Sequence, residues 1–246
     1  MIDIEPGTVT LVGGGPGDPD LITVAGLKAI RQADVVLYDR LSPAEVLDEA
    51  PEGCVLIEVG KIPRGAFTPQ EEINRLLIEH ARAGRRVVRL KGGDPYVFGR
   101  GGEEWLACAE AGLPVRVVPG VSSAIAGPAL AGVPVTHRTL TQGVTIVSGH
   151  VPPGDPRSQL DWAALARTRT TLVLMMGVAY LPEIVAALEA GGLDPATPAA
   201  IVVKASTPQE RVLRGTLGTV AALAATDDVQ PPAITVIGDV AGLDLT

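Results

Sequence analysis

Short runs of β-branched and aliphatic residues recur along the chain, separated by longer segments with helical spacing. In the first half these runs are Thr8 to Val12, Val35 to Leu37, Val55 to Val59, Arg86 to Leu90 and Val115 to Val118. They predict βα repeats around a mostly parallel sheet. Thr68-Pro69-Gln70-Glu71 predicts a helix start, with Thr68 as N-cap, Pro69 at the first helical position and Glu71 closing a capping box. Ile73, Leu76, Leu77 and Ala81 then repeat on one helical face, which is read as core. After Pro119-Gly120 the pattern changes. Ser122 to Ala131 reads as a small-residue helix, and further strands are expected at Val144 to Val147, Thr170 to Met175, Ala199 to Val203 and Ala233 to Ile237. The chain is therefore expected to be α/β, with an N-terminal domain over 1–118, a C-terminal domain over 119–246 and a ligand in the cleft between them.

The run from Arg89 to Glu104 packs five glycines and a proline between an expected strand and a helix start. Open α/β sheets bind their ligands at the carboxyl ends of strands, and glycine lets backbone approach a ligand closely, so this loop is read as a binding loop. Glu103 and Glu104 supply acidic residues to the first turn of the helix that follows. The earlier loop Gly13-Gly14-Gly15-Pro16-Gly17-Asp18 superficially resembles a dinucleotide fingerprint but fails it. Asp18 stands where the last glycine belongs, and Pro16 removes an amide donor from the turn. A nicotinamide-dependent oxidoreductase is disfavoured on that ground.

Composition narrows the choice further. The 246 residues are 46% hydrophobic, enough for a sizeable core without staples. The two cysteines, Cys54 and Cys108, sit among apolar neighbours with no metal-ligand spacing, so no metal is expected. A basic leader and a bilayer-length apolar run are both lacking, which leads to the expectation of a soluble cytoplasmic protein. A net charge of −8 disfavours nucleic acid or an anionic membrane as partner. Yet nine of the twenty basic residues fall between positions 61 and 100, which suggests a segment able to hold a small polyanion. Within it Arg75, Arg82, Arg85 and Arg86 are read as merely solvating a helix and its exit.

Several blocks occur in one order: Val12 to Pro19, Ala33 to Asp39, Val59 to Lys61, Gln70 to Asn74, Arg89 to Glu104, Val118 to Ser123, Gly132 to Arg138, Ser148 to His150, Leu174 to Gly177 and Pro232 to Gly238. Together they resemble the tetrapyrrole methylase family over nearly the whole chain. The resemblance implies two α/β domains with S-adenosylmethionine between them, a homodimer, and a tetrapyrrole as the small-molecule partner. Leu90-Lys91-Gly92-Gly93-Asp94-Pro95, with Phe98 to Glu104 and Thr136-His137-Arg138, points within the family to C-methylation of uroporphyrinogen III, giving precorrin-2 for siroheme or cobalamin. A methylase of a later precorrin is the alternative within the family, and a non-catalytic ligand-binding regulator the alternative outside it.

By the same resemblance, Pro16, Gly92, Gly93, Asp94, Val97, Ser122, Ser123, Met176 and Ala205 would contact the cofactor. Asp39, Lys61 and Arg100 would be catalytic. Arg100 and Arg138 would anchor substrate carboxylates, with Glu103 orienting Arg100; Lys61, Arg64 and His137 are further candidates. Arginine is a poor base because its pKa exceeds about 12, so Arg100 is read first as an electrostatic anchor. The chain departs from the family pattern at Gly60-Lys61-Ile62-Pro63-Arg64 and at Lys204-Ala205-Ser206-Thr207.

Overall fold

The computed structural model describes residues 3–60, 68–243 and 245. The chain divides into two compact units, Met1–Ser122 and Ser123–Thr246.

In the first unit the described residues form one five-stranded sheet from β1 (Val9–Gly13), β2 (Val35–Tyr38), β3 (Val55–Glu58), β4 (Val87–Lys91) and β5 (Val115–Val118). Every pairing is parallel, in the order β3-β2-β4-β1-β5. Parallel neighbours need crossovers, and α1 (Val24–Ile30), α2 (Gln70–Arg82) and α3 (Gly101–Glu110) supply them. Side chains alternate across the sheet. Val12, Val36, Val88 and Leu90 pack with Ala29 and Ile30 of α1 on one face. Val9, Leu11, Val35, Leu37 and Val87 pack with Ile73 and Leu77 of α2 and Cys108 of α3 on the other. By the same period of two, Asp39 follows Leu37, and Arg89 and Lys91 follow Val87, towards the α2/α3 face.

The expected cap of α2 is corrected by the structure. Pro69, not Thr68, occupies the N-cap position with an extended ψ of 148°, no side chain caps it, and the helix begins at Gln70. The Pro69 carbonyl takes the N–H groups of Glu72 and Ile73 instead, so no capping box closes through Glu71.

The second unit contains α4 (Ser123–Leu130), β6 (Val144–Ser148), α5 (Trp162–Ala166), β7 (Thr171–Met175), α6 (Leu181–Ala190), β8 (Pro198–Val203), β9 (Arg211–Thr216), α7 (Leu217–Thr226) and β10 (Ala233–Ile237). Its five strands lie in the order β6-β7-β10-β8-β9, parallel only between β6 and β7. Because β10 runs antiparallel to both β7 and β8, those two strands end at the same edge. β9 escaped the sequence reading. It is a half-exposed edge strand carrying Arg211 and Arg214, the charged composition that blunts sheet edges. Among the described residues no helix is long and apolar enough to cross a membrane.

Candidate functional site

In the first unit three loops converge at the carboxyl ends of β1, β4 and β5. The Gly93 N–H donates to the Gly15 carbonyl at 2.6 Å, the Gly15 N–H returns to the Gly93 carbonyl at 3.2 Å, and the Gly14 N–H donates to the Lys91 carbonyl at 2.7 Å. A Cβ on Gly13 or on Gly120 would overlap backbone of the other and the Gly93 carbonyl, so the loops interlock main chain to main chain. Gly93 is buried at φ 66°. Its glycine is thus explained by this approach as well as by any ligand. Asp94 stitches the same loops, its Oδ2 accepting the Gly120 N–H at 3.0 Å and its Oδ1 the Tyr96 N–H at 2.8 Å. Pro16, Gly92, Val97 and Ser122 are half-buried around them.

Beneath these loops lies a buried set of charges. Glu104 Oε1 accepts from Arg89 Nε at 3.0 Å, Lys91 Nζ at 2.9 Å and Gln70 Nε2 at 3.2 Å, while its Oε2 has no hydrogen-bond partner among the described residues. Arg89 Nη2 donates to Asp39 Oδ1 at 2.5 Å, and its Nη1 to the carbonyls of Leu90 and Leu37 at 3.0 and 3.4 Å. Lys91 Nζ lies 3.8 Å from Asp39 Oδ2. The side chains of Glu104, Arg89 and Lys91 are 0, 2 and 3% exposed, whereas Asp39 is 29% exposed. Main chain fixes Asp39 as well, its N–H donating to the Leu90 carbonyl at 3.2 Å.

Sequence reasoning missed Arg89, Lys91 and Glu104 as one cluster. Of the basic segment expected to face a polyanion, Arg89 and Lys91 are instead buried with carboxylates, while Arg75, paired with Glu72 and Glu79, and Arg86, paired with Asp34, lie on the helix and at its exit as expected. Lys61 and Arg64 lie outside the described residues.

Arg100 remains exposed at the start of α3, where its Nε and Nη2 grip Glu103 bidentately at 2.9 and 2.6 Å. Its φ of 59° is left-handed, and Phe98 two residues earlier has φ 55°. Such backbone costs on the order of 1–3 kcal/mol in a non-glycine residue and clusters where a side chain must be presented. The Glu103 carboxylate raises the Arg100 pKa further, which suits a fixed cation rather than a proton carrier.

In the second unit Met176 follows β7, 47% exposed with φ 55°. Ala205 follows β8 between Lys204 and Ser206, at φ 49° and 61°, and lies against Gly127 of α4. Both residues therefore leave the same edge of the sheet, with left-handed backbone at Met176 itself and at both neighbours of Ala205. Ser123 opens α4 and is half-buried. Arg138 is exposed in the turn where His137 and Thr141 pair.

Burial, and then the Arg89 charge, push Lys91 below its ordinary 10.5, while Glu104 and Asp39 pull the other way. Between that lowered value and 10.5 the unfolded chain holds a proton that the folded one has lost, so this group makes stability rise with pH across that window. Lys91→Met is expected to remove that rise, measured as chemical-denaturation midpoints against pH. Curves parallel to wild type would contradict the assignment.

With the geometry in hand, comparisons give the lineage. Residues 8–221 match the family described as Tetrapyrrole (Corrin/Porphyrin) Methylases. The Uroporphyrinogen-III C-methyltransferase of Methanocaldococcus jannaschii is 46% identical over 235 residues, covering 95% of this chain and 96% of that protein. The Siroheme synthase of Xylella fastidiosa is 47% identical over 239 residues, 97% of this chain but 50% of that protein. The chain thus spans about half the length of the siroheme synthases it matches. A crystal structure of Uroporphyrin-III C-methyl transferase from Thermus thermophilus complexed with S-adenyl homocysteine superposes with a TM-score of 0.80 at 45% identity, covering 95% of this chain and 98% of that one. The chain belongs to the tetrapyrrole methylase family.

Proposed function

We propose that this chain transfers methyl groups from S-adenosylmethionine to two pyrrole carbons of uroporphyrinogen III, giving precorrin-2. The observation that supports this reading most is the match running through 96% of the Methanocaldococcus jannaschii protein of that name. The residues also suit the cofactor's chemistry. Exposed Met176 and half-buried Val97 and Pro16 offer apolar contact to a nucleoside thioether, and the half-buried Gly92 lets backbone approach it. Asp94, Ser122, Ser123 and Ala205 complete the proposed contacts, and Gly93 shapes the loop.

When bound, the cofactor supplies a methyl on an electrophilic sulfonium; a carbon–carbon bond forms to the ring as the carbon–sulfur bond breaks, and one proton leaves the macrocycle for each methyl added. The chain must hold the ring carbon in line and accept that proton. Asp39 is the proposed acceptor, being the solvent-reaching carboxylate of the buried charge cluster, with Lys61 a second candidate. Arg100, held by Glu103, and Arg138 are proposed to bind the substrate's carboxylates. A homodimer in the cytoplasm is the proposed assembly and location.

The test is turnover of uroporphyrinogen III with S-adenosylmethionine, product mass reporting two added methyl groups. Turnover of a later precorrin instead would replace this substrate. Arg100→Ala is expected to raise KM for uroporphyrinogen III about tenfold, the equivalent of ~1.4 kcal/mol, without changing the Kd of S-adenosylhomocysteine by calorimetry. An unchanged KM would release Arg100 from the substrate site.

A further inference from the structure

Three observations about the buried charges bear on how Asp39 works. The first is cost. Taking Arg89, Lys91 and Glu104 out of water carries a large desolvation penalty for each ion, and apolar residues of similar volume often serve stability as well or better. The cluster is therefore poorly explained by stability alone.

The second is a gradient of exposure. Glu104, Arg89 and Lys91 are 0, 2 and 3% exposed, and Asp39, at 29%, is the member that meets solvent. Whatever the dry charges do for a reacting molecule, they do through Asp39.

The third is geometric completeness. Each nitrogen of the Arg89 guanidinium is engaged: Nε on Glu104 Oε1, Nη1 on the Leu37 and Leu90 carbonyls, Nη2 on Asp39 Oδ1. The planar fork therefore has one orientation, set by Glu104 on α3 and by two carbonyls of β2 and β4. Glu104 is itself held by Lys91 of β4 and Gln70 of α2. The Asp39 oxygen on that fork is thus held from three secondary-structure elements, in addition to the main-chain bond of its own N–H to the Leu90 carbonyl.

We propose that Arg89 and Glu104 are positioning residues: the guanidinium locked by Glu104 holds the Asp39 carboxylate at the angle at which it takes the macrocycle's proton. This rests on the reading of Asp39 as proton acceptor. Arg89 and Glu104 touch neither substrate nor cofactor in it, and Lys91 anchors Glu104.

Arg89→Lys keeps the charge and loses the fork. A misplacement of about 1 Å at a reacting group costs on the order of a hundredfold, so kcat is expected to fall about a hundredfold while KM for both substrates and the Kd of S-adenosylhomocysteine stay within about twofold. The triple variant Arg89→Met, Lys91→Met, Glu104→Leu keeps volume and removes the buried charges. It is expected to fold at least as well as wild type and to show the same loss in kcat, which a purely structural role would not produce. A kcat within about tenfold of wild type in whichever variant folds, or a loss matched by an equal rise in KM, overturns the proposal. Should wild type itself not methylate uroporphyrinogen III, the substrate reading fails on that result. Positioning is then decided by the Arg89→Lys crystal structure: an Asp39 carboxylate displaced by about 1 Å upholds it, and one left in place overturns it.

Discussion

Glu104→Leu, made alone, is expected to destabilise the first unit by about 3–5 kcal/mol, the range seen when one partner of a buried ion cluster is removed. The substitution strips the shared acceptor from Arg89 Nε, Lys91 Nζ and Gln70 Nε2 at once. Two cations, 2 and 3% exposed, would then share Asp39 as their remaining carboxylate. A domain whose total stability is of order 5–15 kcal/mol loses a large fraction of it by such a change. An exposed pair provides the contrast. Arg31 and Glu49, 53 and 44% exposed, form a solvated ion pair whose removal is expected to cost less than about 1 kcal/mol. Urea denaturation of Glu104→Leu and Arg31→Ala measures the difference. A loss below about 1 kcal/mol for Glu104→Leu would mean that the interior around Arg89 and Lys91 is wetter than the structure depicts. The triple apolar replacement should recover what the single change loses, because it removes the orphaned cations along with their acceptor.

The sheet of the first unit was legible because its strands are apolar runs interrupted by helical segments, and five of five such runs became parallel strands. Arg89 and Lys91 were not legible as buried. In sequence they are two more members of a basic segment, and their acceptors stand far off, Asp39 fifty positions before Arg89 and Glu104 fifteen after it. Glu104 carried a sufficient local explanation as an acid in the first turn of a helix, which hid its pairing. The one usable signal was period: Val87, Arg89 and Lys91 alternate onto the face that Leu37 and Asp39 share, so a charge on that face had to be paired or exposed. The second sheet shows a different limit. Its runs at β6, β7, β8 and β10 were readable as strands, but strand direction depends on connections that residue pattern does not encode, and β9 is too polar to announce itself. In the loops, glycine density correctly marks close backbone approach. It does not distinguish approach to a ligand from the approach of Gly93 to Gly13, Gly15 and Gly120.

Asp39→Asn is expected to lower kcat for methyl transfer by about 10²–10⁴-fold, the usual contribution of a positioned proton acceptor. Asparagine has nearly the same shape, and its Oδ1 can still accept from Arg89 Nη2, so the geometry of the fork survives while the basic oxygen is lost. The stability cost is smaller than for Glu104→Leu for two reasons. Asp39 is 29% exposed, so water can replace part of the lost charge, and Glu104 still compensates Arg89 and Lys91. About 1–3 kcal/mol is expected, the range for a hydrogen bond to a charged group. S-adenosylhomocysteine affinity should be unchanged, since the residues proposed to hold it are others. Measured together, kcat, KM, the Kd of S-adenosylhomocysteine and the urea midpoint separate chemistry from folding: a large fall in kcat with cofactor affinity intact marks the loss of the acceptor itself. If kcat stays within about tenfold of wild type, the proton leaves by another group, with Lys61 the next to substitute, and the buried charges beneath Asp39 lose their catalytic meaning.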